Sequence, residues 1–432
     1  MFQSYPLLLY LILTNWYVLK ISACKPKPVP SPPPTTPPPP PPPPACSLGE
    51  TIKDYLDVST LAGNKEESHQ IPDTVVVEVL VAVDYPLFQK IGNFYKDGVW
   101  RTNPTNQKAK DIKAEVILYV RKFMSAVDIK FQRHFTKPRI TFSIAKVLVG
   151  EPLPFIVNRK AFDIYLTQQR MKEFFGNQTL KTSFPFDVAL LLTGEEIFKE
   201  EGGLDVKYGL SEIGSACDYE WVNGGQNINH ANIIVQDLGQ FSGVKTATHQ
   251  FGHLLGSYAD GELSSVACCS KEGYIMSNNV YDQSNIDRAF KDKRNAFKWS
   301  NCSKEVISKF VRKATCLFNT PNEDPYPLFK WEELATGSQV PFLSQQCVIY
   351  APKKEHVDLV DFKGYDCGAD PCQYLECRTY LEQVTADHHW SDCKVHERQH
   401  AMEGSVCGEK KNCFQGNCIA GKKAEGRLQS SN

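Results

Sequence analysis

Two histidines, His249 and His253, lie four residues apart in the second half of the chain. Residues four apart on an α-helix share one face, so both imidazoles can reach a single metal ion. Gly256 follows the second histidine by three residues and is suited to turning the chain at the end of such a helix. The pattern predicts a metal-site helix held against a folded domain, which constrains the fold more than any other segment does.

Two positions in this segment depart from the chemistry that the spacing suggests. A Glu directly after the first His of such a pair normally takes a proton from the metal-bound water, but Gln250 occupies that position. An amide can orient a water molecule, yet it has no basic site that accepts a proton near neutral pH. Zinc proteases with this helix place a third His three residues after the glycine, where this chain has Ala259. Retention of zinc by the two remaining histidines is therefore left open.

Residues 248–260 resemble the H-E-x-x-H-x-x-G-x-x-H-D signature of the metzincin zinc proteases, specifically the reprolysin (adamalysin, ADAM-like) branch. The family positions that match are His249, His253, Gly256, Asp260 and, further along, the Met-turn methionine Met276. By this resemblance, Met276 would form the apolar floor under the site and Asp260 would be structural. Ligation of the metal by Asp260 after a local shift is the alternative for that residue.

The resemblance extends over residues 71–317 and implies the fold. Residues 75–85 predict a buried strand, and a long helix is indicated by apolar residues at helical spacing, namely Val116, Val120, Phe123, Val127 and Phe131. Residues 186–194, 208–217 and 231–237 resemble the inner strands and the substrate-holding edge strand, and 297–317 resemble the closing helix. The expected fold class is α/β: a metzincin (zincin-like) domain with a twisted mixed sheet of about five strands and an active-site helix, followed by a small disulfide-rich module.

Composition and the resemblance together divide the chain into seven segments. Residues 7–13 are apolar and Ile21-Ser22-Ala23 suits signal peptidase, so a signal peptide is expected, with an uncleaved anchor or a lipoprotein signal as alternatives. Half of the 28 prolines lie in residues 26–44, which predicts an extended polyproline II segment. The predicted segments are 1–23 signal peptide, 24–46 polyproline linker, 47–70 spacer, 71–317 reprolysin-like domain, 318–345 linker, 346–420 cysteine-rich module and 421–432 polar tail.

The fifteen cysteines indicate an oxidising compartment and a disulfide framework. By resemblance, Cys217 would pair with Cys316, and one of Cys268 or Cys269 would pair with Cys302. Eight further cysteines between residues 347 and 418 predict a small disulfide module. This module resembles the cysteine-rich region behind the catalytic domain of ADAMTS-like and arthropod salivary reprolysins.

A net charge of −1 provides no general basic field for nucleic acid. We expect a secreted protein, with Asn177 as a candidate glycosylation site. Its expected partners are extracellular proteins or peptides, with no nucleic acid and no stable membrane insertion once the signal peptide is removed. The predicted function is binding of such partners, without cleavage, by a reprolysin-like protein with a degenerate zinc site. The alternatives are an active or weakly active zinc endopeptidase with an altered site and a structural secreted protein.

Overall fold

The computed structural model describes residues 70–97, 109–150, 152–157, 162–177, 183, 185–197, 208–222, 226–277, 293–319, 321, 324–336, 340, 343–346, 372–373, 375–379 and 394–420. The predicted signal peptide, the polyproline linker, nearly all of the spacer, the polar tail and much of the cysteine-rich module lie outside these residues. In the described ranges, no helix combines the length and the apolar character that crossing a bilayer requires.

The first seven strands build a five-stranded sheet and a hairpin. They are β1 (Thr74–Val83), β2 (Arg139–Leu148), β3 (Val188–Thr193), β4 (Gly209–Ser211), β5 (Tyr219–Val222), β6 (Gln226–Asn229) and β7 (Asn232–Gln236). The sheet order is β2-β1-β3-β7-β4, and β5 pairs with β6. Strand β4 runs antiparallel to β7, while the other neighbours in the sheet are parallel. The predicted α/β class with a mixed sheet is confirmed.

The described residues form seven α-helices. They are α1 (Tyr85–Asp97), α2 (Ala109–Gln132), α3 (Ile164–Phe175), α4 (Val244–Leu254), α5 (Asn301–Val311), α6 (Trp331–Leu334) and α7 (Leu343–Gln346). Those on the two faces of the sheet include α2 and α3. Helix α2 contains the five apolar residues whose spacing predicted a long helix, and all five are fully buried. The predicted closing helix corresponds to α5.

Alternation along the central strands divides the core into two layers, because successive side chains of a strand point to opposite faces. The odd-numbered valines of β1, from Val75 to Val83, pack in one cluster with buried residues of α2 and α4. Leu80 and Ala82 pack in a second cluster with Met171 and Phe175 of α3. The sheet therefore carries α4, with its two histidines, on the same side as α2.

The edge strand β4 is shorter than the predicted strand at residues 208–217, since it ends at Ser211. Beyond it, the chain turns through Gly214 and Cys217, which have φ values of 69° and 67°. Such left-handed conformations interrupt a strand. Cys217 forms a disulfide with Cys316, with Cα atoms 5.7 Å apart, and this bond anchors the turn beyond the edge strand.

A second disulfide joins Cys268 to Cys302 and fixes the loop after α4 to the first turn of α5. Cys269 is also disulfide-bonded. The sequence left open whether Cys268 or Cys269 pairs with Cys302. The partner is Cys268, whose sulfur lies against the first turn of α5.

The C-terminal residues contain strands β8 (Leu375–Thr379), β9 (Lys394–Gln399), β10 (Val406–Gly408), β11 (Lys411–Phe414) and β12 (Asn417–Ala420). Strands β10, β11 and β12 form a three-stranded sheet, stabilised by the disulfides Cys372–Cys413 and Cys407–Cys418. Trp331 of α6 donates its indole N–H to the carbonyl of Cys413 at 3.0 Å. The described part of this module therefore packs on the preceding helical segment through a buried hydrogen bond.

Candidate functional site

Helix α4 brings His249 and His253 together as their spacing predicted. Their ring centroids lie 4.5 Å apart with an interplanar angle of 85°. Nδ1 of His249 is 2.8 Å from the carbonyl oxygen of Ile275, and Nδ1 of His253 is 2.8 Å from that of Ser257. Donation from Nδ1 to a carbonyl places the lone pair of a neutral imidazole on Nε2, which is a common arrangement of metal-binding histidines.

The electrostatics of the helix keep His249 neutral. Burial, and secondarily the neighbouring His253, lower the pKa of His249 to about 3. A neutral imidazole is the form that binds a metal. Both histidines therefore retain the orientation of metal ligands, and His249 also retains the neutral form.

The third ligand position does not supply a donor. Ala259 is 1% exposed, and its methyl group cannot bind a metal. The carboxylate of the adjacent Asp260 accepts hydrogen bonds through Oδ1 from Ser300 (2.6 Å) and Ser303 (3.3 Å), at the N-terminal end of α5. Burial raises the pKa of Asp260 to about 6. Asp260 thus connects the chain after α4 to α5.

The donors that the described residues supply around α4 do not match those of a catalytic zinc ion. Catalytic zinc usually takes three protein ligands and keeps one position for water or substrate. Among the described residues around α4, the predicted ligands supply two imidazoles, and Ala259 is apolar. Oδ1 of Asp260 bonds to α5, while its Oδ2 is buried without a hydrogen-bond partner. Without a shift of Asp260, the predicted ligands within the described part of the chain are therefore one short of three.

The predicted Met-turn packs tightly under α4. Met276 is fully buried, and its carbonyl accepts a hydrogen bond from the Asp260 N–H at 2.9 Å. A Cβ atom at Gly252 would lie 2.5 Å from Sδ of Met276 and 2.8 Å from the ring of Trp299. Gly252 therefore allows the helix to approach the methionine floor closely.

Gln250 lies at the general-base position and contacts the edge strand. Its Oε1 accepts a hydrogen bond from the Ser211 hydroxyl of β4 at 2.7 Å, and its side chain is buried. A Cβ atom at Gly209 would lie 2.7 Å from Cγ2 of Thr246 and 3.0 Å from Cγ of Gln250. Strand β4 therefore lies directly on α4, with Gly209 and Ser211 on the contacting face.

A charged cluster follows directly after β4. The Glu212 carboxylate contacts the Lys172 ammonium of α3 and lies 2.8 Å from Nδ1 of His230. Burial alone would raise the pKa of Glu212, but the hydrogen bonds from Lys172 and His230 lower it. The carboxylate is held between α3 and the segment that precedes β7, and it fixes the end of the edge strand.

Sequence reasoning missed Ser211 and the Glu212 cluster. Their contacts come from separate elements, and Ser211 lies 39 residues from Gln250. No spacing in the chain signals such a contact. Asn177, the predicted glycosylation site, is exposed directly after α3, and its modification stays a prediction.

Comparisons with known proteins identify relatives of this chain. No family model matches the chain. A protein of Bombyx mori described as "A disintegrin and metalloproteinase with thrombospondin motifs like" is 25% identical over 390 residues, which are 85% of this chain and 48% of that protein. Venom metalloproteinase 2 of Eulophus pennicornis is 28% identical over 197 residues, covering 43% of this chain and 40% of the relative.

A third relative is "A disintegrin and metalloproteinase with thrombospondin motifs 16" of Mus musculus, 25% identical over 54% of this chain and 16% of that protein. The chain spans about half or less of the length of these relatives. A solved chaperone-substrate complex aligns at a TM-score of 0.33 and 11% identity, covering 58% of this chain and 36% of that one. The sequence relatives confirm the predicted resemblance: the chain is a homologue of the reprolysin-family metalloproteinases.

Proposed function

We propose that this chain is a secreted protein that binds extracellular proteins or peptides in a metalloproteinase-type cleft without cleaving them. The observation that carries the proposal is the pairing of Gln250 with Ser211. The residue at the general-base position is a neutral amide held by the edge strand, and the third ligand position is the methyl of Ala259. Two of the family's reacting groups are thus replaced, while the edge strand β4 still lies against α4.

The missing base accounts for a large part of the expected loss of activity. A positioned general base contributes about 10²- to 10⁴-fold, on the order of 3 to 5 kcal/mol of barrier. Asp260 is engaged by Ser300 and Ser303, while Glu262 and Glu272 lie exposed on the loop after α4. None of these carboxylates contacts the amide of Gln250, so each would need a rearrangement to replace the base.

Secretion is supported by the cysteines and by the relatives. Disulfides persist mainly in oxidising compartments, and the described residues contain four disulfides with both partners in place. The relatives are named as ADAMTS-type and venom metalloproteinases. Zinc is implied for that family, and in this chain His249 and His253 would be its remaining protein ligands.

The test compares the natural chain with a repaired one. Both the natural protein and a Gln250→Glu, Ala259→His double variant are incubated with a mixed peptide library, with and without added zinc, and bound metal is measured by mass spectrometry. We expect no cleavage by the natural chain, and zinc-dependent cleavage with about one bound zinc ion in the repaired variant. A His249→Ala change in the repaired variant should abolish that cleavage.

A second candidate function, a weakly active zinc endopeptidase, is favoured by the retained orientation of both histidines. Cleavage by the natural chain that a chelator abolishes would establish this function and refute the non-cleaving proposal. Absence of both cleavage and saturable peptide binding would leave a structural role.

A further inference from the structure

The amide of Gln250 has two ends with different roles. Oε1 accepts a hydrogen bond from the Ser211 hydroxyl at 2.7 Å, and the same hydroxyl lies 3.1 Å from the main-chain oxygen of Gln250. This contact fixes the plane of the amide. Among the hydrogen bonds of the described residues, none uses Nε2 of Gln250, although its side chain is only 8% exposed.

Nε2 of Gln250 is not one of the buried polar atoms that lack a hydrogen-bond partner among the described residues, so this donor is still reached by solvent and can be offered to a ligand. Nε2 belongs to the same rigid amide as Oε1, so the Ser211 bond orients this donor as well. The donor lies on the helix that carries both histidines, at the wall formed by the edge strand β4. A ligand that lies along β4 would therefore meet an oriented N–H group.

The edge strand defines the chemistry of that ligand. Strand β4 pairs with β7 through Gly209, Leu210 and Ser211, and in the described sheet no strand pairs with its other side. The exposed N–H and C=O groups of an edge strand are matched by an extended peptide backbone. The main chain of such a peptide offers carbonyl oxygens, which accept from an amide N–H.

We infer that Gln250 is a peptide-binding residue whose Nε2 donates a hydrogen bond to a main-chain carbonyl of an extended peptide bound along β4, with Ser211 as the residue that positions the amide. This inference rests on the proposed function. A glutamate at the same position would accept the Ser211 hydrogen bond equally well, but its carboxylate has no hydrogen to donate and would repel the carbonyl oxygen. The change from an acid to an amide therefore replaces a water-activating group by a group that holds the peptide.

The test uses fluorescent, reduced and carboxymethylated casein as an unfolded polypeptide, and the full chain in the presence of chelator. Binding is measured by anisotropy for the natural protein and for Gln250→Glu, Ser211→Ala and Gln89→Glu. Gln89 lies on α1 and controls for one added negative charge. We expect Gln250→Glu to raise the Kd by roughly tenfold or more, because a donor is lost and a carboxylate oxygen then faces the peptide carbonyl. Ser211→Ala should raise the Kd by a smaller factor, and Gln89→Glu should leave it unchanged.

A second measurement separates peptide binding from a purely structural latch between β4 and α4. In protein labelled with ¹⁵N at glutamine, the side-chain NH₂ signal of Gln250 is identified by its loss in Gln250→Glu, and we expect it to shift when casein is added. If casein binds the natural chain but Gln250→Glu binds equally well and the signal does not move, the inference is wrong while the proposed function stands. Failure of the natural chain to bind casein overturns both.

Discussion

Single side chains decide the chemistry of this site. Gln250 and Ala259 occupy positions where the reprolysin signature has an acid and a third histidine, whereas His249 and His253 keep the carbonyl contacts that orient ligands. Each histidine is oriented through Nδ1 by a backbone oxygen, that of Ile275 for His249 and that of Ser257 for His253. Nε2 of each ring is therefore the nitrogen that would bind a metal. Gln250 and Ala259 are thus compatible with the ligand-like orientation of both histidines.

Asp128, on α2, gives the residue-scale prediction for pH dependence. Its Oδ1 accepts from the Phe142 N–H at 3.0 Å and from Thr141 Oγ1 at 3.1 Å. Burial raises the pKa of Asp128 from 3.8 to about 6, although these hydrogen bonds lower it. The folded state therefore favours the protonated carboxyl. Its stabilising contribution is complete below about pH 4 and is lost as the pH rises through 6.

We expect Asp128→Asn to change the pH dependence of stability. Because the amide does not titrate, the free energy of unfolding of the variant relative to the natural protein should rise by roughly 2 to 2.5 kcal/mol between pH 4 and pH 7.5. Urea unfolding at both pH values, with disulfides intact, measures this difference. A difference between the two proteins that is the same at both pH values would refute the prediction.

At the scale of elements, α4 is held between two structures that approach it closely. Strand β4 contacts one side of the helix through Gly209 and Ser211. The Met-turn and Trp299 contact it at Gly252. Neither contact involves zinc, so packing alone can hold α4 against the sheet and the Met-turn.

Gly252→Ala tests this packing. The added methyl would lie 2.5 Å from Sδ of Met276 and 2.8 Å from the Trp299 ring, and both residues are buried. Overpacking of this kind typically costs about 1 to 3 kcal/mol, so we expect the free energy of unfolding to fall by that amount. Gly408→Ala serves as the control, since a Cβ there would lie 3.6 Å from its nearest neighbour. Equal stability of the two variants in urea would contradict the packing argument.

At the scale of the whole described chain, the C-terminal module packs against α2 and α6. Lys130 of α2 and Glu403 form an ion pair at 3.4 Å, with side chains 6% and 2% exposed. Glu403 also accepts from the Gln415 N–H at 2.9 Å, and the Lys130 ammonium lies 4.8 Å from the centroid of the Phe297 ring. The contact is therefore a buried polar interface.

Glu403→Ala should weaken this interface strongly. Removal of one partner leaves the other charge buried, which costs about 3 to 5 kcal/mol. We expect a lower free energy of unfolding and faster release of the C-terminal module by limited proteolysis.

Adding Lys130→Met should restore part of the stability, because the uncompensated charge is then gone. Glu305→Ala, which breaks an exposed pair with Lys309, should change neither measurement appreciably. If the double variant is no more stable than Glu403→Ala, the stranded charge is not the cause.

The sequence predicted those helices and strands in which the spacing of apolar residues matches the buried face. Strand β1 and helix α2 follow directly from their apolar patterns, because each buries one or both faces over many residues. Strands β3 and β7 and helix α5 were expected from the family resemblance. The predicted edge strand was too long because the sequence pattern did not reveal the left-handed turn at Gly214 and Cys217.

The sequence by itself determined the chemical character of this protein: two histidines at ligand spacing, an amide where a base would be, a methyl where a third ligand would be, and a disulfide framework. These follow from residue identity and local spacing. Only the tertiary structure decided that Cys268 pairs with Cys302, that Asp260 bonds to α5, and that Ser211 holds Gln250. Each of these joins residues more than 30 positions apart in the chain, and such contacts depend on how the sheet and helices pack.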